Sequence, residues 1–259
     1  MIKAVFFDID GTLVSFKTHR MPSSTVDALD RLRARGIRIF VASGRPRSLI
    51  DNLGDYPFDG YVTCNGSLVE VGDETVYCRP LALETAIRVV DVLEAQGRTA
   101  LVFQEKGTLM NFLDDRAPVV GPVIQMPMPP VGDVRAAVRA RKTCQISCYV
   151  TVGEEEAWGF SRMPGVAFQR WHPMILDLTA DGVAKGIGAQ AAIDRLGIRR
   201  EEAMSFGDGG NDKDLLRWAG IGIAMGNAKD DVKAVADEVT EDVDSDGLAR
   251  ALARHGLLG

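Results

Sequence analysis

The sequence predicts an α/β protein with a doubly wound parallel-sheet core and an inserted α+β module. Two blocks of the 259-residue chain, residues 1–66 and those after Lys185, alternate short apolar runs with helical patterns. Continuous apolar strands joined by helices are typical of a parallel sheet covered on both faces. Residues from about 81 to 180 instead pair apparent strands without a helix between them, which is typical of an antiparallel sheet.

The elements of the two core blocks follow from apolar periodicity and from the glycines that end helices, such as Gly36 and Gly197. The first block predicts, in order, strand 4–7, helix 24–35, strand 37–42, a short helix over 47–53 and strand 60–63. The second block predicts helix 186–196, strand 203–206, helix 212–219, strand 221–224, helix 229–236, a short strand near 239 and helix 247–254.

The segment between the blocks predicts the order αββ twice. Its elements are helix 83–95, strands 99–104 and 108–113, helix 132–141, and strands 145–152 and 166–171. We therefore expect a discontinuous, Rossmann-like core of residues 1–80 and 181–259, interrupted by an α+β domain of residues 81–180 with its helices on one face of its sheet.

Two aspartates at the end of the first strand carry the first chemical signal. Asp8 and Asp10 are two positions apart, so in an extended strand their side chains leave on the same face. Carboxylates that close repel each other, and a divalent cation with oxygen ligands would neutralise them. On these two residues alone, a helix cap or a turn built from Asp, Gly and Thr is an equal alternative.

Three further polar groups follow strand ends or begin a helix. Gly207-Asp208-Gly209-Gly210-Asn211-Asp212 is a glycine-rich acidic turn after strand 203–206, and Ser43-Gly44-Arg45 follows strand 37–42. Lys185 begins a helical pattern, where a lysine is ordinarily a solvated residue. Open α/β sheets bind ligands at the carboxyl ends of their strands, so these positions indicate one site.

Together these segments resemble the four motifs of the haloacid dehalogenase-like phosphohydrolases. The chain carries them in the expected order, as DIDGT at 8–12, SGR at 43–45, Lys185 and GDGGND at 207–212. The long gap between the second and third motifs is similar to that of the Cof-type subgroup, bacterial sugar-phosphate phosphatases with a cap domain of the second type. The resemblance implies a Mg²⁺-dependent phosphatase acting on small phosphomonoesters, such as sugar or polyol phosphates. A cytoplasmic location is expected separately, because the cysteines suit a reducing compartment.

The resemblance also implies the catalytic and metal-binding residues. Asp8 would be the nucleophile that forms an aspartyl-phosphate, and Asp10 would protonate the leaving oxygen and later deprotonate the attacking water. Mg²⁺ would bind Asp8, the Asp10 carbonyl and Asp208. Asp212 is assigned to the metal site as well, either as a ligand or by holding the site or Lys185 in place.

Phosphate or substrate contacts are implied for a second group of residues. Ser43, the Gly44 amide and Asn211 would donate to phosphoryl oxygens, and Lys185 would balance the charge of two carboxylates and a phosphate. Arg45 follows a strand end and could reach the substrate, or equally pair with a surface carboxylate. The complete group is Ile9, Ser43, Gly44, Arg45, Asn65, Lys185 and Asn211.

The charge and hydropathy of the chain argue against a nucleic-acid-binding protein and against a membrane-spanning one. The net charge of −6 and the absence of a dominant lysine and arginine cluster argue against nucleic-acid binding. No apolar stretch approaches the roughly 18 residues that span a membrane, and the N-terminal apolar run is too short for a signal peptide. The partner we expect is a phosphorylated small molecule, and the protein itself a monomer or weak dimer.

The four cysteines, Cys64, Cys78, Cys144 and Cys148, favour a reducing compartment. Cys144 and Cys148 lie four positions apart on one face of a strand, but no other His or Cys completes a metal site at ligand spacing. We therefore interpret the four as buried free thiols.

Two other functions remain open on the sequence. A phosphomutase similar to phosphomannomutase would share the fold and the aspartyl-phosphate. A binding protein on an inactive scaffold is the other, although it has no chemical need for Asp8, Asp10, Ser43, Lys185, Asp208 and Asp212 together.

Overall fold

The computed structural model describes residues 1–119 and 126–259 and divides the chain into two compact units. The first unit comprises residues 1–44, 52–77 and 184–259, and the second comprises residues 45–51 and 78–183. Within the described part of the chain, no helix combines the length and the hydropathy that crossing a bilayer requires.

The first unit is built on an eight-stranded sheet, in the order β13-β12-β11-β1-β2-β3-β4-β5. From β13 to β3 each neighbouring pair is parallel, which confirms the predicted α/β core. The strands are β1 Ala4–Phe7, β2 Arg38–Ala42, β3 Gly60–Thr63, β4 Leu68–Val71, β5 Glu74–Cys78, β11 Ala203–Gly207, β12 Ile221–Ala224 and β13 Glu238–Val239.

Residues on β1 show why this sheet is covered on both faces. Phe6 stacks on Phe40 with ring centroids 4.7 Å apart and meets the edge of Trp218 at 5.5 Å. Phe7, on the opposite face, stacks on Phe206 at 5.3 Å. Each fully buried phenylalanine contributes about 1.5–3 kcal/mol through burial, so β1 is anchored from both sides.

The helices of the first unit are close to the predicted ones. They are α1 Ser23–Ala34, α5 Lys185–Leu196, α6 Lys213–Trp218, α7 Asp230–Lys233 and α8 Gly247–Arg254. Gly197 adopts the left-handed conformation with φ 64° and ends α5, as its position in the sequence predicts.

Three details of the sequence prediction were wrong. The predicted helix 229–236 is a single turn, Asp230–Lys233, and the predicted helix 47–53 is a 3-10 turn over Arg47–Leu49. Strand β4, which is antiparallel to β3, and its neighbour β5 extend one edge of the sheet and were not predicted. Their run mixes polar and apolar residues around a turn at Gly72, so it lacks the continuous apolar pattern of the parallel strands.

The second unit holds a five-stranded sheet in the order β7-β6-β8-β10-β9, with antiparallel neighbours. Alternate residues of its strands, such as Val102, Ile146 and Leu178, form an apolar core with residues of α2 and α3. Its elements are α2 Leu83–Ala95, β6 Ala100–Gln104, β7 Thr108–Met110, α3 Val134–Ala140, β8 Thr143–Cys148, α4 Val152–Ala157, β9 Val166–His172 and β10 Ile175–Ala180.

The predicted second αββ repeat is corrected to αβαββ. Strand β8 ends at Cys148, and residues 152–157 form helix α4 instead of continuing the strand. Thr151 and Glu154 form a capping box, in which the Thr151 amide donates to Glu154 Oε2 at 2.8 Å. This local hydrogen bonding starts a helix that β propensity alone does not predict.

Candidate active site

The carboxyl ends of four neighbouring parallel strands supply the predicted site residues of the first unit. Asp8 follows β1, Ser43 follows β2, Asn65 follows β3 and Asp208 follows β11. Because β11, β1, β2 and β3 are adjacent and parallel, these four residues leave the sheet at the same edge.

Lys185 connects two of the motifs through its ammonium group. Its Nζ donates to Asp8 Oδ1 at 2.7 Å and to Asp212 Oδ1 at 2.6 Å. The lysine is only 1% exposed, so its charge is stabilised almost entirely by these two carboxylates. Gly186, the next residue, donates its amide to Asp214 Oδ2 at 2.6 Å, which fixes the start of α5.

Three aspartate carboxylates that are largely shielded from solvent lie close together at the site. Oxygen atoms of Asp8, Asp208 and Asp212 lie within 4.8 Å of one another. Burial, and then the charges of Asp8 and Asp212, raise the pKa of Asp208 to about 8. Burial and the Asp8 charge raise the pKa of Asp212 to about 7, against the lowering effect of Lys185. A divalent cation would relieve this repulsion, so the donor set fits a hard metal ion with oxygen ligands.

The positive charge of Lys185 balances part of the negative charge of these carboxylates. Burial works to lower the pKa of Lys185, but the attraction of Asp212 and Asp8 and the hydrogen bonds to both outweigh it. The net result is a raised pKa, so Lys185 carries a positive charge at neutral pH.

Asp212 organises the loop that carries Asp208. Its Oδ2 accepts the amides of Asp208 at 3.1 Å and Gly209 at 2.8 Å, while its Oδ1 accepts from Lys185. A Cβ on Gly207 would lie 2.5 Å from the Asp212 Cβ, so only glycine lets the two residues approach this closely. Asp212 therefore holds both Lys185 and the loop, and its carboxylate also lies in the group that could bind a metal ion.

Asp208 is held by two residues that the sequence analysis did not single out. Thr12 Oγ1 donates to Asp208 Oδ1 at 3.0 Å, and Asn227 Nδ2 donates to Asp208 Oδ2 at 3.2 Å. Asn227 also donates to the Gly11 carbonyl at 2.9 Å and accepts the Val243 amide at 3.0 Å. Asn227 closely follows the apolar strand β12, the same signal that identified the other site residues.

The turn after Asp10 brings the first motif against the acidic loop. Gly11 has φ 92°, and a Cβ there would lie 2.3 Å from Asp208 Oδ2. A side chain at this position would therefore both strain the backbone and collide with the carboxylate.

Asp10 has a separate environment from Asp8. It is half-buried, and its Oδ1 accepts a hydrogen bond from Asn52 Nδ2 at 3.2 Å. Asn52 was not predicted, because no strand end or motif marks it in the sequence. Asp10 and Asp8 thus receive different donors, an amide and an ammonium group, which suits different chemical roles.

Asn65 contacts two other predicted phosphate-binding residues. Its backbone amide donates to the Ser43 carbonyl at 3.1 Å, and its side-chain Oδ1 accepts from Asn211 Nδ2 at 2.9 Å. A Cβ on Gly44 would lie 3.1 Å from the same Oδ1. Asn65 adopts the left-handed conformation with φ 56°, a strained backbone of the kind that clusters at functional sites.

The remaining two predicted residues are placed differently. Ile9 is completely buried, and its carbonyl accepts the Val14 amide at 2.8 Å, so its side chain belongs to the core. Arg45 groups with the second unit, where its guanidinium lies 4.0 Å from Asp51 Oδ1. This pairing is the alternative that the sequence left open for Arg45.

Comparisons with known proteins identify the family to which this chain is similar. The family model of haloacid dehalogenase-like hydrolases matches residues 5–123 and 142–252. YkrA of Bacillus subtilis, which is named as a phosphatase, is 31% identical over 99% of this chain and 98% of its own.

Solved structures give the same result over the whole chain. The structure of a HAD subclass IIB sugar phosphatase is 39% identical, with a TM-score of 0.88 over 98% of this chain and 99% of its own. A phosphatase of the same superfamily from Bacteroides thetaiotaomicron is 32% identical, with a TM-score of 0.88 over 99% and 96%.

Proposed function

We propose that this chain, which belongs to the haloacid dehalogenase-like hydrolase family and is a phosphatase of that family, hydrolyses small phosphomonoesters through an aspartyl-phosphate. The observation that carries the proposal is the buried group of Asp8, Lys185 and Asp212, in which one ammonium group bridges two carboxylates. A nucleophilic carboxylate needs such a fixed orientation and a neighbouring charge that admits an anionic phosphate.

In the proposed first step, the Asp8 carboxylate attacks phosphorus while the bond to the ester oxygen breaks. Asp10 gives its proton to that leaving oxygen, and its hydrogen bond from Asn52 orients it for this transfer. In the second step Asp10 takes a proton from water, the water oxygen bonds to phosphorus, and the bond from phosphorus to Asp8 breaks. Inorganic phosphate is released and both aspartates return to their starting state.

The residues that would hold Mg²⁺ are Asp8, Asp208 and the backbone of Asp10, with Asp212 acting through the loop. Support comes from the carboxylate oxygens within 4.8 Å of one another and from the raised pKa of Asp208, which repulsion and burial together cause. When bound, the ion would supply positive charge to the transferring phosphoryl group.

Ser43, Gly44, Asn65, Lys185 and Asn211 would bind the phosphoryl oxygens. The hydrogen bonds of Asn65 to Ser43 and Asn211 support a joint role, because they connect the loops that follow three strands, β2, β3 and β11. Pre-oriented donors of this kind stabilise charge that develops in the transition state.

Sugar or polyol phosphates are the substrate class we propose, on the likeness to a sugar phosphatase of HAD subclass IIB. The second unit would select among them, since the first unit already holds all the proposed catalytic residues. The second unit carries a buried polar chain, in which Gln145 Nε2 donates to Ser147 Oγ and Ser147 donates to Asp177 Oδ1 at 2.6 Å. We expect substitutions there to change preference among sugar phosphates more than hydrolysis of p-nitrophenyl phosphate.

A screen of phosphorylated metabolites for phosphate release with Mg²⁺ tests the proposed function. Each reaction is assayed for free phosphate and for isomerised sugar phosphate, with Asp8→Asn protein as the blank. Phosphate release that the blank lacks supports the phosphatase. Isomer formation without phosphate would identify a phosphomutase, and binding without turnover of any compound would identify an inactive scaffold.

A further inference from the structure

Two thiols that the proposed catalysis does not use lie in contact in the second unit. Cys78 Sγ and Cys144 Sγ are 3.8 Å apart, although the residues are 66 positions apart in the chain. Cys78 is the last residue of β5 and begins the longer segment of the second unit, residues 78–183, and Cys144 lies in β8. The Leu81 amide donates to the Thr143 carbonyl at 2.8 Å, so a backbone hydrogen bond holds the two segments together beside the sulfurs.

The two cysteines differ in access. Cys144 is completely buried, whereas Cys78 is partly exposed, which corrects the sequence expectation that all four thiols are buried. The hydrogen bond from Cys144 lowers the pKa of the Cys78 thiol, helped by the charge of Lys142 and opposed by partial burial. An accessible cysteine of lowered pKa is the type that reacts first, because the thiolate is the nucleophile.

The other two cysteines lack this arrangement. Cys148 lies four positions after Cys144 in the same strand, but its thiol faces the Leu176 carbonyl at 3.6 Å within the apolar core. Burial raises the pKa of Cys148 far above its ordinary value, which makes this thiol inert. Cys64 is buried in the first unit. Cys148 is therefore a matched internal control for Cys144.

We propose that Cys78 and Cys144 form a reactive dithiol, which hydrogen peroxide oxidises reversibly to an intramolecular disulfide. The Cys78 thiolate attacks one peroxide oxygen, the O–O bond breaks, and hydroxide leaves to give a sulfenic acid. The Cys144 sulfur then attacks the Cys78 sulfur, the S–O bond breaks, and the Cys144 proton leaves with the hydroxyl group as water. Two electrons pass from the sulfurs to the peroxide, and a dithiol reductant returns both thiols.

The geometry requires only a local movement. The sulfurs must approach from 3.8 Å to the roughly 2.05 Å of a disulfide bond, which side-chain rotation at the partly exposed Cys78 can supply. The bond would close a loop of 66 residues that contains most of the first half of the second unit. A cross-link of that length restricts the unfolded chain, so the oxidised protein should melt about 5 °C or more above the reduced protein.

The experiment treats the reduced full chain with hydrogen peroxide at low molar excess and maps the products by mass spectrometry without reductant. The Cys148→Ala variant is used for mapping, because neither trypsin nor a glutamyl endopeptidase cleaves between Cys144 and Cys148. Cleavage after Glu70 or Glu74 separates Cys64 from Cys78. We expect a peptide containing Cys78 linked to one containing Cys144, with the loss of two hydrogen atoms, and its disappearance with dithiothreitol.

Single substitutions distinguish the Cys78–Cys144 disulfide from other oxidation products. Cys78→Ser and Cys144→Ser should each abolish the cross-link and the rise in melting temperature, while Cys148→Ala should keep both. If Cys144→Ser fails to fold, Cys78→Ser still tests the proposal, because its position is partly exposed. Oxidation of Cys78 to sulfinic acid without a link, a dimer linked through Cys78, or two thiols that stay reduced would each overturn the proposal.

Discussion

The ammonium nitrogen of Lys185 lies 2.7 Å from Oδ1 of Asp8, although 177 positions separate the two residues in the chain. Both residues are buried, so neither charge is solvated in the folded protein. The pair therefore contributes both to the electrostatics of the site and to the stability of the fold. Replacing Asp8 tests the first contribution through turnover, and replacing Lys185 tests the second through the free energy of unfolding.

Replacing Asp8 by Asn keeps the shape of the side chain but removes the anionic nucleophile. We expect turnover to fall at least about a thousandfold, because a neutral amide cannot form the acyl phosphate. Phosphate release under saturating substrate and Mg²⁺ measures the effect, and circular dichroism checks the fold. Asp27→Asn, at an exposed position of α1, is the matched control. Near-normal turnover by Asp8→Asn would refute the mechanism.

Replacing Lys185 by Met leaves Asp8 and Asp212 buried without their cation. Breaking a buried ion pair on one side costs about 3–5 kcal/mol, so we expect the free energy of unfolding at pH 7 to fall by that amount and turnover to fall at least about a hundredfold. Urea unfolding in EDTA measures the first effect. Lys213→Met, which removes a surface ion pair with Asp231, should leave stability unchanged. Equal stability of the two variants would contradict the prediction.

Chelation should abolish activity, since the clustered carboxylates of Asp8, Asp208 and Asp212 need a cation to admit a phosphate. We expect EDTA to stop phosphate release, Mg²⁺ to restore it and Ca²⁺ to inhibit, because Ca²⁺ accepts more ligands at longer distances. Mg²⁺ should also raise the melting temperature of the wild type, and Asp208→Asn should weaken this shift. Full activity in chelator, or an equal melting shift in Asp208→Asn, would exclude the assigned site.

Asn52→Ala removes the donor to Asp10 at 3.2 Å and tests Asp10 as the proton donor. Hydrolysis of alkyl phosphates should fall about tenfold or more, because their leaving oxygen needs a proton. The first step with p-nitrophenyl phosphate, followed as the burst of p-nitrophenolate before steady state, should change little, since p-nitrophenolate leaves unprotonated. In an Asp10→Asn background the second substitution should have no further effect. A loss that is as large in the Asp10→Asn background as in the wild type would assign Asn52 a purely structural role.

Glu154→Gln tests an ion pair of the second unit. Arg116 donates to both carboxylate oxygens of Glu154 at 2.6 Å, and chiefly this contact lowers the pKa of Glu154 from 4.5 to about 2. Because the pKa of Glu154 is lower in the folded protein than in the unfolded chain, ionised Glu154 stabilises the fold at pH values above the unfolded pKa. This stabilisation is lost as the pH falls toward 2. We expect the variant to lose about 1–2 kcal/mol at pH 7.

The difference between Glu154→Gln and wild type should shrink below pH 4.5, where wild-type Glu154 begins to lose this stabilisation. Urea unfolding at pH 7 and pH 3 measures it, with the exposed Glu201→Gln as control. A difference that is the same at both pH values would show that the charge of Glu154 does not contribute.

The sequence predicted the buried parallel strands more accurately than the other elements, for a physical reason. Parallel strands such as β1 are buried on both faces and read as continuous apolar runs, so their positions were predicted almost to the residue. In the second unit, α4 was missed because its start depends on the capping box of Thr151 and Glu154 rather than on periodicity. In the first unit, β4 and β5 were missed because both strands are only partly buried and lack a continuous apolar run.

The sequence by itself determined the parallel-sheet core and the edge at which the site lies, because apolar periodicity and polar residues at strand ends are local patterns. Only the tertiary structure decided which side chains meet there. Lys185 joins Asp8 to Asp212, Asn227 holds Asp208, and Cys78 reaches Cys144 across distances that no local pattern encodes. Such contacts depend on strand register and on the packing of loops, which are properties of the whole folded chain.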